Sequence, residues 1–291
     1  MSTKFAVAGL QLKKEPGDWI INFNKLQQVA TSTIKKYPWV ELIFTGELYL
    51  QQYGEKDWKD LAQPFPSEIT IELSKLAKKL KRWLIPGSLL EKTNKGIYNT
   101  IPIFNPQGEL VTSYRKLFPW LPQEDTKQGT EFCIFEIPGK TTIGVMNCYD
   151  VWFPEVCRTL CWMGAEVILH PSAAYTPDRN ENEEILLCRA NAIMNQCYFM
   201  DSNIISSQGG GGSIFVDPEG RVLQTAGTNE MVMTEILDID QVRWVRENGQ
   251  RGLSPLWKSL RNFPGNFPIY QDIKKGNIFK NLSEMKIVEK F

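Results

Sequence analysis

A cysteine stands at the junction between two predicted elements in the stretch TTIGVMNCYDVWFPEVCR. The apolar, partly β-branched run at 141–147 predicts a buried strand. The segment that starts at Pro154 predicts a helix, with proline at its first position and Gly164 just past its end. Cys148 therefore lies where a strand stops and a helix is about to begin, near amide groups that favour a thiolate. Such a cysteine suits nucleophilic catalysis, and a buried structural cysteine is the ordinary alternative.

Two further stretches supply groups that a cysteine nucleophile needs. Glu47 follows the apolar run LIFT, so it is predicted at the tip of a buried strand. Partly apolar surroundings there would raise the carboxyl pKa toward neutrality and suit a general base. Lys116 ends a strand and precedes an aromatic, proline-rich loop with Trp120 and Glu124. A lysine so placed would stabilise a developing oxyanion, although each of these residues taken singly is more typical of a solvated surface.

The chain has one histidine, His170, at the end of a predicted strand and directly before a proline. Any hydrolase with a serine–histidine or cysteine–histidine pair would have to use this residue. Its position favours a structural role, or a place at the rim of a site, over the role of a base. A histidine-rich metal site is excluded.

Composition limits the other classes of function. Lysine plus arginine total 33 and aspartate plus glutamate total 33, and this balance argues against a broad nucleic-acid-binding surface or an acidic-membrane binder. The amino-terminal sequence predicts a strand rather than a signal peptide, and no stretch is apolar enough for a membrane span. We therefore predict a cytoplasmic protein with six cysteine thiols. Cys157 and Cys161, four residues apart without a second pair at zinc spacing, predict a packing face of a helix.

Strands and helices alternate along the 291 residues, which predicts a layered α/β or α+β fold with helices covering sheets. No linker divides the chain, so a single domain is expected over 1–291, with an irregular tail from about Pro255. The run SQGGGGS lacks the lysine and the following helix of a phosphate-binding loop and predicts a sharp turn. The predicted strands are KFAVAGLQL, VELIFTGE, WLIPGSLLE, the arms of a hairpin at NPQG, AEVILHPS, CYFMDSNI, the arms of a DPEG turn, and EMVMTEIL. The other predicted helices are DWIINFNKLQQVATSTIKK, SEITIELSKLAKKLKR with Ser67 as its cap, and NENEEILLCRANAIMNQ.

Three of these stretches, in this order, resemble the signature blocks of the nitrilase superfamily of carbon–nitrogen hydrolases. ELIFTGELYLQQYG resembles the first block, an apolar strand that ends in a proline–glutamate pair, with Gly46 in place of the proline. Glycine leaves the backbone freer, so Glu47 is expected to be placed less firmly than the other two residues. SYRKLF resembles the tyrosine–arginine–lysine block, and GVMNCYDVWFPEVCR is similar to the cysteine block at nearly every such position. GAEVILHPSA and GGSIFVDPEGRVL extend the resemblance to about Leu237.

This resemblance implies a set of roles. Glu47 would be the general base, Lys116 the oxyanion stabiliser and Cys148 the nucleophile that accepts the acyl group. The backbone N–H of Tyr149 would be the second oxyanion donor. FPWLPQE resembles a run of the amidase branch, which implies that Glu124 positions the substrate amide and Lys116. Further candidates for the walls of the substrate pocket are Trp120, Tyr53, Trp152 and His170.

The resemblance also implies a four-layer αββα sandwich, at least a homodimer that pairs through helices near the cysteine, and no metal or organic cofactor. The favoured substrate is a small linear amide, cleaved to a carboxylic acid and ammonia. An N-carbamoyl hydrolase has the same three residues and needs a cation for the substrate carboxylate, for which Arg179 and Arg189 are candidates. A nitrilase would tend to have tryptophan where Tyr149 stands. An inactive binding relative would have lost one of the three residues, and a Cys148–His170 protease lacks an evident third partner.

Overall fold

Two β-sheets form the centre of the molecule in the computed structural model, which describes residues 2–51, 58–121, 123–174, 183–206 and 209–282. The strands are β1 Lys4–Gln11, β2 Leu42–Thr45, β3 Trp83–Ile85, β4 Leu89–Thr93, β5 Gly96–Phe104, β6 Leu110–Arg115, β7 Cys133–Ile137, β8 Thr141–Val145, β9 Val167–Ser172, β10 Tyr198–Asn203, β11 Ile214–Val216, β12 Val222–Thr225 and β13 Met231–Asp238. The helices are α1 Trp19–Lys36, α2 Trp58–Leu61, α3 Glu68–Leu80, α4 Pro154–Trp162, α5 Glu183–Asn195, α6 Ile239–Asn248, α7 Leu256–Arg261 and α8 Pro268–Gln271. Short 3₁₀ helices cover Cys148–Trp152, Gln250–Gly252, Ile273–Lys275 and Asn277–Asn281.

Each sheet has a parallel centre and antiparallel margins. The first sheet has the order β13-β1-β2-β3-β5-β4, with β6 paired to β5, and β1, β2 and β3 run parallel. The second has the order β12-β11-β10-β9-β8-β7, and β8, β9 and β10 run parallel. The carboxyl ends of parallel strands meet at one edge of a sheet, which is where ligands bind in open α/β sheets.

Both faces of the first sheet are buried, and alternate residues of its strands serve two different cores. Phe5 and Val7 of β1 belong to the core between the sheets, whereas Ala8 and Leu10 pack toward α1 and α3. At the junction of the sheets Phe44 stacks on Phe215, with ring centroids 6.1 Å apart.

Helices cover the outer face of each sheet. Side chains of α1 and α3 pack on the first sheet, and side chains of α4 and α5 pack on the second. The order of layers is therefore helix, sheet, sheet, helix, which confirms the predicted αββα fold class.

Several local predictions match the structure. Pro154 is the first residue of α4, and Ser67 caps α3 by accepting a hydrogen bond from the Thr70 N–H. The DPEG turn joins β11 to β12 because Asp217 accepts hydrogen bonds from the backbone of Glu219 and Arg221.

Other local predictions need correction. WLIPGSLLE is not one strand, because Pro86 and Gly87 separate β3 from β4. The sequence reasoning also missed β7 and α6. From Pro255 to Leu282 the chain forms α7, α8 and two short 3₁₀ helices, and α7, α8 and the 3₁₀ helix Ile273–Lys275 contain no buried residue.

Gly211 and Gly212 have φ values of 72° and 79°, as a sharp turn requires, while residues 207–208 of the same run lie outside the described residues. In the described part of the chain, no helix combines the length and the apolar character that crossing a membrane demands.

Candidate active site

Glu47 lies just beyond the end of β2, and its carboxylate is buried among polar groups rather than in an apolar pocket. Its Oε1 atom accepts hydrogen bonds from Asn99 Nδ2 (2.8 Å), Lys116 Nζ (2.7 Å) and Asn147 Nδ2 (3.2 Å). All three donors converge on Oε1, and none of them reaches Oε2. The prediction of partly apolar surroundings for this carboxylate is therefore wrong.

Gly46 does not loosen the residue that follows it. A Cβ atom built on Gly46 would lie 2.6 Å from Ile204 Cγ2 and 2.9 Å from Ile204 N, distances that real Cβ atoms do not show. Glycine is present because a neighbouring strand end passes against the backbone here. With its backbone packed in this way and three donors on its carboxylate, Glu47 is firmly held, contrary to the expectation from the sequence.

Lys116 follows β6 and is the cation of the site, with a side chain that is 1% exposed. Its Nζ atom lies 2.7 Å from Glu47 Oε1 and 2.7 Å from Glu124 Oε2. Burial lowers the pKa of Lys116, but the charges of Glu124 and Glu47 outweigh it and hold that pKa well above its usual value. An ammonium group has three N–H donors, so one remains after both carboxylates are bound.

Glu124 has both carboxylate oxygens occupied. Oε1 accepts from Asn99 Nδ2 (2.7 Å) and from the Thr126 hydroxyl (3.2 Å). Oε2 accepts from Lys116 Nζ (2.7 Å) and from the Trp120 N–H (3.0 Å). This carboxylate therefore holds Lys116 in place. Both of its oxygens already accept hydrogen bonds, so it is a poorer acceptor for a further proton than Glu47.

The sequence reasoning missed two asparagines that link the acidic groups. Asn99 of β5 donates to both Glu47 and Glu124 through Nδ2, and its Oδ1 accepts from Asn147 Nδ2 at 3.1 Å. Both asparagines are buried. A polar residue inside the apolar strand GIYNTIPIF was the available signal for Asn99, and the position next to Cys148 was the signal for Asn147.

Asp150 links the loop that follows Lys116 (the lysine loop) to the turn that contains Asn147 and Cys148 (the cysteine turn). The sequence reasoning also missed this role. Its Oδ2 accepts from the Tyr114 hydroxyl (2.6 Å) and from the Asn147 N–H (2.9 Å), and its Oδ1 accepts from the Phe118 N–H (3.0 Å). Burial raises the pKa of Asp150 to about 6, against the opposing effect of Lys116. The tyrosine of SYRK and the aspartate of CYD are thus direct partners.

Cys148 begins the 3₁₀ helix and has φ 48°, a left-handed backbone conformation that is strained for a residue with a side chain. Five of the six cysteines are buried, and Cys148 alone is half-buried. Burial of the thiol raises the pKa of Cys148 well above its usual value, Glu47 raises it further, and Lys116 lowers it. This direction is opposite to the expected stabilisation of a thiolate, because desolvation outweighs Lys116 and the backbone hydrogen bond from Ala173.

Tyr149 is the second residue of this 3₁₀ helix, so its N–H is one of the amides that the start of a helix leaves without an internal partner. Its ring packs edge-on against Phe153, with centroids 5.2 Å apart. Phe153 in turn stacks on Phe118 of the lysine loop at 3.6 Å. Aromatic packing therefore joins the segments that carry the cysteine and the lysine.

His170 occupies neither a rim nor a substrate-facing position. It lies in β9 with no exposed surface; Nδ1 is 2.9 Å from Asp201 Oδ1 and Nε2 is 2.9 Å from the backbone oxygen of Cys148. The histidine faces the carbonyl of Cys148 rather than its thiol, so it is not arranged as a base. Asp201 is the orienting partner that the sequence failed to indicate.

The remaining pocket candidates are only partly placed. Trp120 is 56% exposed beside the lysine loop and Trp152 is 47% exposed at the end of the 3₁₀ helix, so both rings face outward. Tyr53 and Arg179 lie outside the described residues. Arg189 is held by the backbone oxygen of Gly220, with Nε at 3.2 Å.

Two groups of potential metal ligands occur in the described part of the chain. The sulfur atoms of Cys157, Cys161 and Cys197 lie within 4.8 Å of one another, so the predicted packing face gains a third thiol from the segment before β10. The second group contains one ligand atom each from His170, Glu184, Cys188 and Asp201.

Comparisons with known proteins identify the family of this chain. The family model "Carbon-nitrogen hydrolase" matches residues 6–247. "Omega-amidase NIT3" of Saccharomyces cerevisiae is 31% identical, over 94% of this chain and 97% of that protein. "Omega-amidase NIT2" of Mus musculus is also 31% identical, over 71% of this chain and 79% of that protein.

Solved structures have the same fold. The crystal structure of Saccharomyces cerevisiae Nit3, a member of branch 10 of the nitrilase superfamily, aligns with a TM-score of 0.77 and 29% identity, covering 85% of this chain and 94% of that one. A carbon–nitrogen hydrolase from Helicobacter pylori G27 aligns with a TM-score of 0.80 and 24% identity, covering 94% and 99%.

Proposed function

Because the chain belongs to the carbon–nitrogen hydrolase family and is an amidohydrolase, we propose that Glu47, Lys116 and Cys148 are its catalytic residues and that they form a thioester with a small linear amide. The observation that carries this assignment is the buried Lys116 ammonium, which is held at 2.7 Å by both Glu47 and Glu124 and whose charge lowers the pKa of the Cys148 thiol. A cation is costly to bury, and a cation that keeps a free N–H beside a thiol suits the stabilisation of an oxyanion.

Acylation begins with proton transfer. The pKa of the Cys148 thiol is raised, so the attack on the amide requires a base in the site. Glu47 takes this proton, and its Oε2 is the oxygen that the three surrounding donors leave available. The sulfur attacks the amide carbon, and the resulting oxyanion is stabilised by the third N–H of Lys116 and by the Tyr149 N–H.

The tetrahedral intermediate then collapses. The carbon–nitrogen bond breaks, protonated Glu47 returns the proton to the nitrogen, and ammonia leaves while the acyl group remains on Cys148. Water loses a proton to Glu47 as it attacks the thioester at the same oxyanion site. The carbon–sulfur bond breaks, the carboxylic acid is released, and the cysteine sulfur recovers the proton from Glu47.

The substrate class rests on the residue that follows the cysteine and on the relatives. Tyr149 follows the cysteine where nitrilases tend to have tryptophan, and relatives 31% identical to this chain are named omega-amidases. These observations favour a primary amide over a nitrile. An N-carbamoyl hydrolase remains the second candidate on the residues alone, since Glu47, Lys116 and Cys148 would serve it equally.

The setting of the enzyme belongs to the same proposal. We place it in the cytoplasm as a homodimer or higher homo-oligomer that acts on a small molecule without a metal or organic cofactor. Support for an interface near the cysteine is the exposed apolar surface of α4 and α5, where Trp162 is 76%, Leu186 49% and Met194 40% exposed.

One panel of substrates tests the proposal. Purified protein is assayed for ammonia release from short primary amides, N-carbamoyl acids and the matching nitriles, together with the Cys148→Ala variant. We expect turnover of a primary amide that Cys148→Ala abolishes, with nitriles poor or inert. Faster turnover of N-carbamoyl acids would establish the second candidate, and full activity of Cys148→Ala would refute the assignment of the nucleophile.

A further inference from the structure

A buried histidine–aspartate pair lies directly behind the cysteine turn and is not used in the reaction proposed above. His170 of β9 and Asp201 of β10 stand opposite each other in the register of these parallel strands. The imidazole Nδ1 lies 2.9 Å from Asp201 Oδ1, and Nε2 lies 2.9 Å from the carbonyl oxygen of Cys148.

The hydrogen-bond partners of the ring define its protonation state. A carbonyl oxygen can only accept, so Nε2 must carry a hydrogen to bond Cys148. An ionised carboxylate also only accepts, so Nδ1 must carry a hydrogen to bond Asp201. With Asp201 ionised, both nitrogens donate and the ring is an imidazolium cation. Burial lowers the pKa of His170, but the bond to Asp201 and the nearby Glu184 outweigh it and raise that pKa to about 9.

The groups packed around the ring come from three elements. From α5, Glu184 Oε1 lies 3.5 Å from Nδ1, and burial raises the pKa of this carboxyl to about 7. Cys188, one turn along α5, faces the same cluster. From β9, the Ser172 hydroxyl donates to Asp201 Oδ1 at 2.8 Å. Asp201 is therefore the carboxyl group that hydrogen-bonds the ring directly, and Glu184 is the second acid beside it.

We propose that His170 is a positioning residue for the oxyanion hole: held by Asp201, it donates from Nε2 into the Cys148–Tyr149 peptide and strengthens the Tyr149 N–H as a donor. This inference rests on the proposed roles of Cys148 and Tyr149. The carbonyl of Cys148 and the N–H of Tyr149 belong to one peptide unit, so a charged donor on the carbonyl draws electron density from the nitrogen and makes its N–H a better donor.

Geometry gives the bond a second effect. Cys148 has φ 48°, and the bond from His170 is a contact that holds its carbonyl in this strained conformation. His170 holds that carbonyl from inside the protein, so the Tyr149 N–H on the other end of the peptide points away from the sheet. The bond thus fixes the direction of the oxyanion donor as well as its strength.

The protonation state is directly measurable because His170 is the only histidine in the sequence. In untagged protein labelled with ¹⁵N-histidine, we expect one imidazole with both nitrogens protonated at neutral pH and a midpoint near 9. Asp201→Asn should move that midpoint toward the ordinary value of about 6.5. A ring with one protonated nitrogen at neutral pH in the wild-type protein would overturn the proposal.

Kinetics test the catalytic consequence. Removal of a direct oxyanion donor costs roughly 100- to 1,000-fold in kcat, so a group that acts through the peptide should cost less, about 10- to 100-fold, in His170→Gln. KM should change by less than about threefold, because the effect is on a group that binds the oxyanion of the transition state. The wild-type kcat should fall as pH rises through about 9, and in Asp201→Asn this limb should move to lower pH.

Ser172→Ala is the matched control, since it removes a hydrogen bond to the same Asp201 oxygen without touching the Cys148 carbonyl. It should keep the wild-type kcat and the alkaline limb even if the melting temperature falls. Equal losses of kcat in Ser172→Ala and His170→Gln would mean that the cluster is only structural.

Two outcomes separate this inference from the proposed function. If Cys148→Ala is inactive and His170→Gln keeps the wild-type kcat, the proposed nucleophile stands and the positioning role is wrong. If Cys148→Ala remains active, the proposed function itself is wrong.

Metal analysis of the purified protein adds a further test, because His170, Glu184, Cys188 and Asp201 could together bind zinc. A stoichiometric metal ion that is lost on His170→Gln would overturn the imidazolium.

Discussion

Replacement of Glu47 by glutamine removes one proton acceptor while leaving the hydrogen bonds around it almost intact. In the wild-type protein Asn99, Asn147 and Lys116 donate to Glu47 Oε1. The side-chain oxygen of glutamine can accept the same three hydrogen bonds. Lys116 keeps Glu124 as its counterion at 2.7 Å. The variant should therefore fold, and its defect should report on proton transfer from the thiol.

The expected loss follows from the state of the nucleophile. Because burial holds the pKa of Cys148 well above its usual value, very little thiolate exists without a base. Loss of a general base costs on the order of 100- to 10,000-fold, equivalent to about 3 to 5 kcal/mol in the barrier. We expect a loss of this size in kcat/KM for Glu47→Gln on the best amide substrate, with a melting temperature close to that of the wild type.

Two comparisons make this result interpretable. Glu166→Gln changes another buried carboxylate, which pairs with Arg243 at 2.7 Å. Glu166 directly precedes β9, so it lies at the end of this strand opposite to the site. It should lower stability without a comparable loss of kcat/KM. His170→Asn should keep a measurable rate, as expected for a group that does not transfer protons. Near wild-type kcat/KM in Glu47→Gln, together with an inactive His170→Asn, would refute Glu47 as the base.

Three further predictions follow from the packing and charge of the site. Iodoacetamide should inactivate the enzyme with Cys148 modified first, since it alone of the six cysteines is half-buried, and EDTA should have no effect; mass mapping that finds another cysteine modified first would contradict this. Gly46→Ala should destabilise the protein by roughly 1–3 kcal/mol and lower kcat/KM, because its Cβ would lie 2.6 Å from Ile204 Cγ2; an unchanged melting temperature would show that the strand end yields freely. Between pH 7 and 9 the folded state should bind one more proton than the unfolded state, since the pKa of His170 is raised to about 9 from an ordinary 6.5. The contribution of His170 to the free energy of unfolding is fully present at a pH below its ordinary pKa and should fall by roughly 3 kcal/mol as pH rises to 9. Asp201→Asn should flatten the pH dependence of the free energy of unfolding measured by chemical denaturation. A flat curve for the wild-type protein would contradict the buried cation.

Much of the fold could be predicted because its signals are local. Proline at the start of α4, Ser67 before α3 and the DPEG turn each act over a few residues, so sequence alone places them. The split of WLIPGSLLE at Pro86 and Gly87 was missed because the apolar pattern continues across the break. β3 pairs with β2, which lies before α3 in the chain, whereas β4 pairs with the adjacent β5, so one apolar run supplies strands to two different partners.

The sequence by itself determined the chemical groups of the site. The cysteine, lysine and glutamates are present in family order, and each follows a strand or lies in the loop after one. It also determined that only one imidazole exists, which limits the possible mechanisms. These conclusions depend only on residue types and their spacing, and both are the same in the unfolded and the folded chain.

Tertiary structure decided how those groups are charged and held. Asn147 reaches Glu47 across 100 residues of sequence, and His170 meets Asp201 across 31, contacts that no local pattern encodes. Burial raises the pKa of Cys148 against the expectation from the sequence, because desolvation depends on every segment that covers the thiol. Close packing against Ile204 made Gly46 a fixed point rather than a flexible one. The physical reason is common to all four: hydrogen-bond partners, dielectric surroundings and free volume are properties of assembled neighbours, and only the folded chain brings these neighbours together.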